Sequence, residues 1–230
     1  MTRKAVIIQP MFFPWRGQFD LQSRADIVVI FDTVQYSRRH WYNRNLIATA
    51  NGPQWITVPV NAKGNYCGLI KNIQISSDLK WKDRIIRSVQ HSYSSAPYFE
   101  QYFAEFEALI RQDWQNISDL SFASIRWGFE KLGKSPTFVL ASELDIEEGD
   151  PVSRLIKLCQ AVGARHYISG PAAKDYIGSG EKFKEADIDI EWINYEYEKY
   201  PQINCTQDVE MSILDLLFNV GPAAGKYIWS

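Results

Sequence analysis

Four consecutive apolar residues, Ala5 to Ile8, run straight into Gln9-Pro10, and a second apolar run spans Ile27 to Phe31. A strand with no polar face belongs inside a parallel sheet covered on both sides. Between the runs, residues 17–25 carry Phe19, Leu21 and Ala25 as the apolar points of a helix. Strand, loop, helix and strand in that order predict a βαβ unit, which limits the fold more than any other feature of the chain.

The rest of the chain extends that pattern. Trp55–Val60 and Ile70–Ile75 read as strands, whereas Thr33 to Gly52 is polar, basic and aromatic. From Lys80 to Leu132 the apolar spacing turns helical: Trp81, Ile85, Ile86 and Val89 share one face, as do Tyr102, Phe106, Leu109 and Ile110. Pro97 divides the first helix from the next, because proline disfavours helix at the residue before it. Strands return at Thr137–Ala141, His166–Ser169 and Ile188–Ile193. Asp150-Pro151 starts a helix that Gly163 ends. Ser212–Phe218 is a last apolar helix, stopped by Gly221-Pro222. The expected fold is a single α/β domain over 1–230: a mainly parallel sheet with helices on both faces and a helical segment at 79–135.

Hydrophobic residues at 46 %, with 8 Trp, 12 Tyr and 12 Phe, supply a core and argue against disorder. A net charge of −2 without blocks of one sign argues against a nucleic-acid partner. The apolar start is too short for a signal peptide or a membrane span, so a cytoplasmic location without membrane insertion is expected. Cys67, Cys159 and Cys205 show no CxxC or zinc spacing and read as reduced thiols. Cys67 has nothing nearby to activate it as a nucleophile. His40, His91 and His166 form no HxH or HxxxH pair, so no metal site is expected.

Ligands on such sheets bind beyond the carboxyl ends of the strands, which directs attention to three segments. In the first, Gln9, Pro10, Phe13, Trp15, Arg16 and Gly17 belong to a loop that leads into a helix N-terminus suited to phosphate. It reads equally as a tight, aromatic-filled turn. The second runs from Asp32 to Asn45 and interleaves Gln35, Arg38, Arg39, Asn43 and Arg44 with Trp41 and Tyr42. Guanidinium groups grip phosphate or carboxylate in bidentate fashion, and the rings stack on a base or sugar. Asp32 and His40 are its candidate proton acceptors. The third, Ser169-Gly170 with Lys174, lets a ligand approach the backbone and supplies a positive charge; it reads equally as an ordinary turn.

IIQPMFFPWRGQFDL, ADIVVIFDTVQYSRRHWYNRN, GPQWITVPV, ARHYISGPAAKDYI and SILDLLFNVG, taken in order, resemble the WbqC-like family nearly end to end. The resemblance implies a role in O-antigen, lipopolysaccharide or other surface-polysaccharide biosynthesis, on a nucleotide-linked amino sugar or another phosphorylated small molecule. A weaker likeness ties the first block to Rossmann-like adenylyl-transferring enzymes, although Phe13-Pro14-Trp15-Arg16-Gly17 stands where those have HxGH.

The expected reaction is acyl or aminoacyl transfer to the sugar amine, with an acyl-CoA or ATP and Mg²⁺ as the candidate source of activation. Arg38, Arg39 and Arg44 would hold a diphosphate or carboxylate, Trp41 and Tyr42 would stack, and Asp32 or His40 would take the amine proton. Nucleotidyl transfer and non-catalytic nucleotide-sugar binding are the alternatives. Exposed aromatics would equally serve a homodimer interface.

Overall fold

The computed structural model describes residues 2–61, 68–146, 149–204 and 209–229. The chain forms two interleaved compact units: Met1–Gln9, Gly17–Thr33 and Ser135–Glu196 in the first, and Pro10–Arg16, Val34–Lys134 and Tyr197–Ser230 in the second.

The first unit is a five-stranded sheet. Its β1 is Lys4–Ile8, after which the chain turns into helix α1, Arg16–Ser23, and returns as β2, Ile27–Ile30. That is the βαβ unit the apolar runs predict, with the helix starting one residue earlier and ending two residues sooner than expected. The second unit contributes β3, Arg44–Thr49; β4, Gly52–Thr57; and the helices α2, Lys80–Tyr93, α3, Phe99–Arg111, and α4, Ile117–Lys131. The sheet then resumes with β5, Phe138–Leu140; α5, Pro151–Ala161; β6, His166–Ser169; two short helices, α6 at Lys174–Ile177 and α7 at Glu181–Glu185; and β7, Asp189–Trp192. A last helix, α8, Ile213–Val220, belongs to the second unit.

Every pairing in the sheet is parallel, in the order β5-β2-β1-β6-β7. Ala5 sits opposite Ile27 on one side and Tyr167 on the other. All four residues of β2 are buried, as a strand covered on both faces requires. Numbered by the sheet's own strands, the order is 3-2-1-4-5, which reverses direction between β1 and β6. Flanking helices complete the Rossmann-like α/β unit: α5 packs on β1, and Phe183 of α7 stacks on Tyr167 of β6 with ring centroids 5.4 Å apart. The start of α5 is capped as its sequence predicts. The Asp150 carboxylate accepts the Val152 and Ser153 amides and the Ser153 hydroxyl; the hydroxyl first, and the Ser153 amide second, hold its pKa down at about 2. Gly163, at φ 67°, takes the left-handed turn after that helix.

In the second unit β3 and β4 form an antiparallel hairpin in which Arg44 pairs with Thr57 and Thr49 with Gly52. The polar reading of residues 33–52 had no strand here. Leu46, Ile47 and Ala48 are nevertheless buried, and Gly52 adopts φ 99° beside the turn. The strand expected at 70–75 is instead a single 3-10 turn, Ile70–Asn72, followed by isolated bridges from Gln74 and Ile75. Ile70 and Ile73 are both fully buried, and their spacing of three suits that turn rather than an alternating strand.

The segment from Pro10 to Arg16 is core to this second unit. Phe12 and Phe13 are fully buried, and the Phe13 ring meets Trp127 edge-on at 5.6 Å and Phe106 at 5.4 Å. Phe13 has φ 41°, an uncommon conformation for a bulky residue. Hydrogen bonds hold it there. The Ser124 hydroxyl accepts its amide, and its carbonyl accepts from the Asn45 amide (2.7 Å) and the Ser212 hydroxyl (2.8 Å). Asn45 also donates to the Phe12 carbonyl, and the Phe12 amide donates to the Trp41 carbonyl.

A buried carboxylate lies at the start of α8. Asp215 accepts from the hydroxyls of Tyr93 and Tyr200, each at 2.7 Å, and from the Gln202 amide at 2.5 Å. Burial raises its pKa, while the three donors pull the other way. Among the described residues, no helix is long and apolar enough to cross a membrane.

Candidate functional site

Doubly wound sheets place ligands outside the carboxyl ends of their strands, where the strand order reverses. In the first unit that point lies between the ends of β1 and β6, at half-buried Gln9 and at Ser169-Gly170. Gly170 has a local reason to be glycine: a Cβ there would lie 2.7 Å from the Tyr195 hydroxyl. Burial raises the Tyr195 phenol to about 12, so at neutral pH it stays protonated. Lys174 opens α6 and is exposed, with its ammonium 5.5 Å from the ring centroid of Trp192.

Asp32, at the end of β2, is committed elsewhere. Its Oδ1 accepts the Ser142 amide at 2.9 Å and its Oδ2 the Ser142 hydroxyl at 2.5 Å, and the side chain is buried. The next residue is clamped as well, since Arg154 donates to the Thr33 carbonyl and hydroxyl. Asp32 therefore ties the ends of two neighbouring strands together.

The loop at 9–17 is likewise occupied internally. Pro10, Phe13 and Gly17 are buried, and Trp15 meets the Tyr197 ring edge-on. The Arg16 guanidinium lies over Tyr197 and Tyr200, 4.8 and 5.3 Å from their centroids. It donates to the carbonyls of Glu198 and Tyr227, and its Nε sits 3.6 Å from a Glu210 oxygen, an ion pair too long for a hydrogen bond. Amides and a cation expected to hold phosphate thus serve the packing of the second unit.

More of the stretch from 35 to 45 faces solvent. Gln35, Arg38, Arg39 and Trp41 are exposed. Arg39 adopts φ 57° and turns its carbonyl to receive a hydrogen bond from Arg44. The Arg44 guanidinium is centred 4.0 Å over the Trp55 ring, and Trp55 in turn packs 5.0 Å from Trp41. The two indoles are 40 % and 37 % exposed. Among the described residues no carboxylate pairs with Arg44, and its buried Nε has no hydrogen-bond partner.

His40 stacks on Tyr42, and its Nδ1 is also buried, with no hydrogen-bond partner among the described residues. Burial first, and the Arg44 charge second, lower its pKa, so the imidazole is neutral at pH 7. Tyr42 lies beneath it, with its phenol raised to about 12 by burial, and is not a free stacking surface. Asn43 is structural, accepting from the Tyr36 hydroxyl and donating to the Val58 carbonyl.

The segment from Gln35 to Arg44 thus gathers in the second unit, whereas Ser169, Gly170 and Lys174 belong to the first. Trp55 and Tyr195 are the additions that sequence reasoning missed. Cys159 is buried with its thiol raised to about 12, which makes it inert as a nucleophile. Cys67 and Cys205 lie outside the described residues. Among the described residues no group of three His, Cys, Asp or Glu could hold a metal ion.

The WbqC-like protein family matches residues 9–227, nearly the whole chain. The chain belongs to the WbqC-like family. An uncharacterized protein of Mycobacterium tuberculosis is 36 % identical over 229 residues, covering 98 % of this chain and 97 % of the relative. No solved structure matches the chain. The family match takes in both the 35–45 stretch and the strand-end turn at Gly170.

Proposed function

We propose that this WbqC-like protein is a cytoplasmic enzyme of surface-polysaccharide biosynthesis, transferring an acyl or aminoacyl group to the amine of a nucleotide-linked amino sugar. One observation carries the reading. A neutral, half-buried imidazole, His40, sits within the electrostatic reach of a guanidinium, Arg44, which is held against an indole and pairs with no carboxylate among the described residues. Transfer to a nucleotide-linked amine needs a base that is unprotonated at neutral pH, a cation for the phosphate and a flat apolar face for the base or sugar.

In this reading the sugar amine attacks the carbonyl of an activated acyl donor, a thioester or an acyl phosphate. The N–C bond forms, the bond to the activating group breaks, and the electron pair leaves with that group. The amine proton passes to the His40 imidazole. Arg44, with Arg38 and Arg39 around it, holds the phosphate, and Trp41 and Trp55 offer ring faces. Asp32, with both oxygens engaged by Ser142, is replaced by His40 as the proton acceptor.

The test is turnover of a nucleotide-linked amino sugar with acyl-CoA or with an ATP-activated carboxylate, followed as amide formation. His40→Asn should cut turnover by roughly 10² to 10⁴ while leaving nucleotide-sugar affinity within a few-fold. If affinity disappears as well, the base assignment fails. Magnesium-dependent release of pyrophosphate with no amide product would replace acyl transfer by nucleotidyl transfer.

A further inference from the structure

Helix α2 buries one face in the second unit and turns the other to solvent. Trp81, Ile85, Ile86 and Val89 form the buried face. Successive helical residues are about 100° apart, so Lys80, Arg84, Arg87 and His91 fall within an arc of about 60° on the opposite side. All four are exposed. At 1.5 Å per residue the stripe they make is roughly 16 Å long.

Such a face works against the helix that carries it. A solvated helix gains from opposite charges one turn apart, whereas Lys80 with Arg84 and Arg87 with His91 place basic residues at that spacing. Lys80 also stands in the first turn, where the helix dipole disfavours a cation. Among the described residues no carboxylate pairs with the side chains of Lys80, Arg84 or Arg87. The two acids nearest in sequence are engaged: Asp83 pairs with Arg111, and Asp78 accepts the Lys80 amide. The chain as a whole carries a net charge of −2, so the stripe also opposes its overall sign. A local arrangement that costs stability in this way is compensated by what it binds.

The stripe is a line of cations without an apolar centre. A stable protein interface has an apolar core with its charges at the rim, which this face lacks. A nucleic-acid surface needs a basic excess over the domain, which a net charge of −2 does not supply. An anionic bilayer asks for neither. Its headgroups present a diffuse negative surface, and each lysine or arginine within a Debye length of it adds attraction. Leu79, 61 % exposed at the start of α2, suits the boundary between headgroups and acyl chains. We propose that the outer face of α2, formed by Lys80, Arg84, Arg87 and His91, docks the protein on the surface of an anionic lipid bilayer. The contact is peripheral, and it stands or falls independently of the chemistry assigned to His40 and Arg44.

The experiment is co-sedimentation of the full chain with vesicles of phosphatidylcholine alone and of equal parts phosphatidylcholine and phosphatidylglycerol. The protein should pellet with the mixed vesicles only. About 1 M salt, where the Debye length falls to about 3 Å, should release it. Arg84→Gln combined with Arg87→Gln should weaken the partition roughly tenfold or more. Both positions are exposed and glutamine is a good helix former, so the double variant should keep its thermal transition, which separates lost docking from a lost fold. Failure to bind mixed vesicles at low salt overturns the proposal, as does equal binding to phosphatidylcholine alone. Binding that survives the double variant but is lost in Arg39→Gln also overturns it, by placing the anionic surface at the other basic stretch. Binding of a DNA duplex through Arg84 and Arg87, with none to mixed vesicles, would replace the lipid by nucleic acid.

Discussion

The imidazole of His40 lies on the phenol ring of Tyr42, with centroids 4.3 Å apart and planes 28° from parallel. That stacking removes the ring from water and, with Arg44 close by, works against its protonation. Proton NMR of the three histidines should therefore show His40 titrating below its ordinary value of 6.5. Arg44→Gln should raise that midpoint only in part, because burial is the larger cause. The sign for stability follows from linkage: between the folded and unfolded pKa values the unfolded chain binds more protons. The His40 contribution is intact above 6.5, declines as pH falls through that value and levels off below the folded pKa. His40→Asn should remove this component from the stability–pH curve.

Asp32 should behave as a structural residue. Asp32→Asn disturbs both hydrogen bonds from Ser142 and should cost roughly 1–2 kcal/mol in denaturant unfolding. Turnover per folded molecule should remain within about twofold. A drop of the size expected for a lost general base would return Asp32 to the chemistry.

Arg16 should prove to be a packing residue. It holds two carbonyls and two tyrosine faces from inside the second unit. Arg16→Ala should destabilise by roughly 2–3 kcal/mol while leaving the affinity of the folded protein for a nucleotide-linked amino sugar unchanged. Selective loss of that affinity at unchanged stability would show that Arg16 contacts the ligand after all.

The Asp215 carboxyl should be costly to remove. Asp215→Ala leaves the Tyr93 and Tyr200 hydroxyls and the Gln202 amide without their acceptor, for a loss of about 3 kcal/mol or more in chemical denaturation. Its pH signature runs opposite to that of His40. With the folded pKa raised, its contribution is greatest below the unfolded value of 3.8 and falls as pH rises through the folded one. Asp215→Asn should flatten that limb of the curve.

Much of the sheet unit was legible because its signals are local. The runs at 5–8 and 27–30 have no polar face, and Asp150-Pro151 with Gly163 brackets α5 from the sequence alone. The hairpin was missed although Asn51-Gly52, a common hairpin-turn pair, follows an apolar Leu46-Ile47-Ala48. The basic residues before it drew the reading towards a loop. The role of Asp32 was invisible because its partner, Ser142, lies 110 residues away. The loop at 9–17 looked like a phosphate cradle for a similar reason: the groups that claim its backbone, Asn45, Ser124 and Ser212, come from three distant elements. Arg44 and His40 could be found by their density of functional groups. Trp55 and Tyr195 could not, since each becomes a neighbour only once the chain has folded.

All of residues 34–134 are strung between β2 and β5, two strands that lie side by side. Pairing Val28 with Phe138 therefore closes a very long loop, and β5 is the short edge strand that must bear the closure entropy. Strand β1, by contrast, meets β2 across a single helix. The sheet should accordingly assemble from β1 and β2 outward, with β5 held by the continuity of the inserted chain. A single proteolytic nick within 34–134 would leave β1 and β2 paired, and β5 would be the strand set loose.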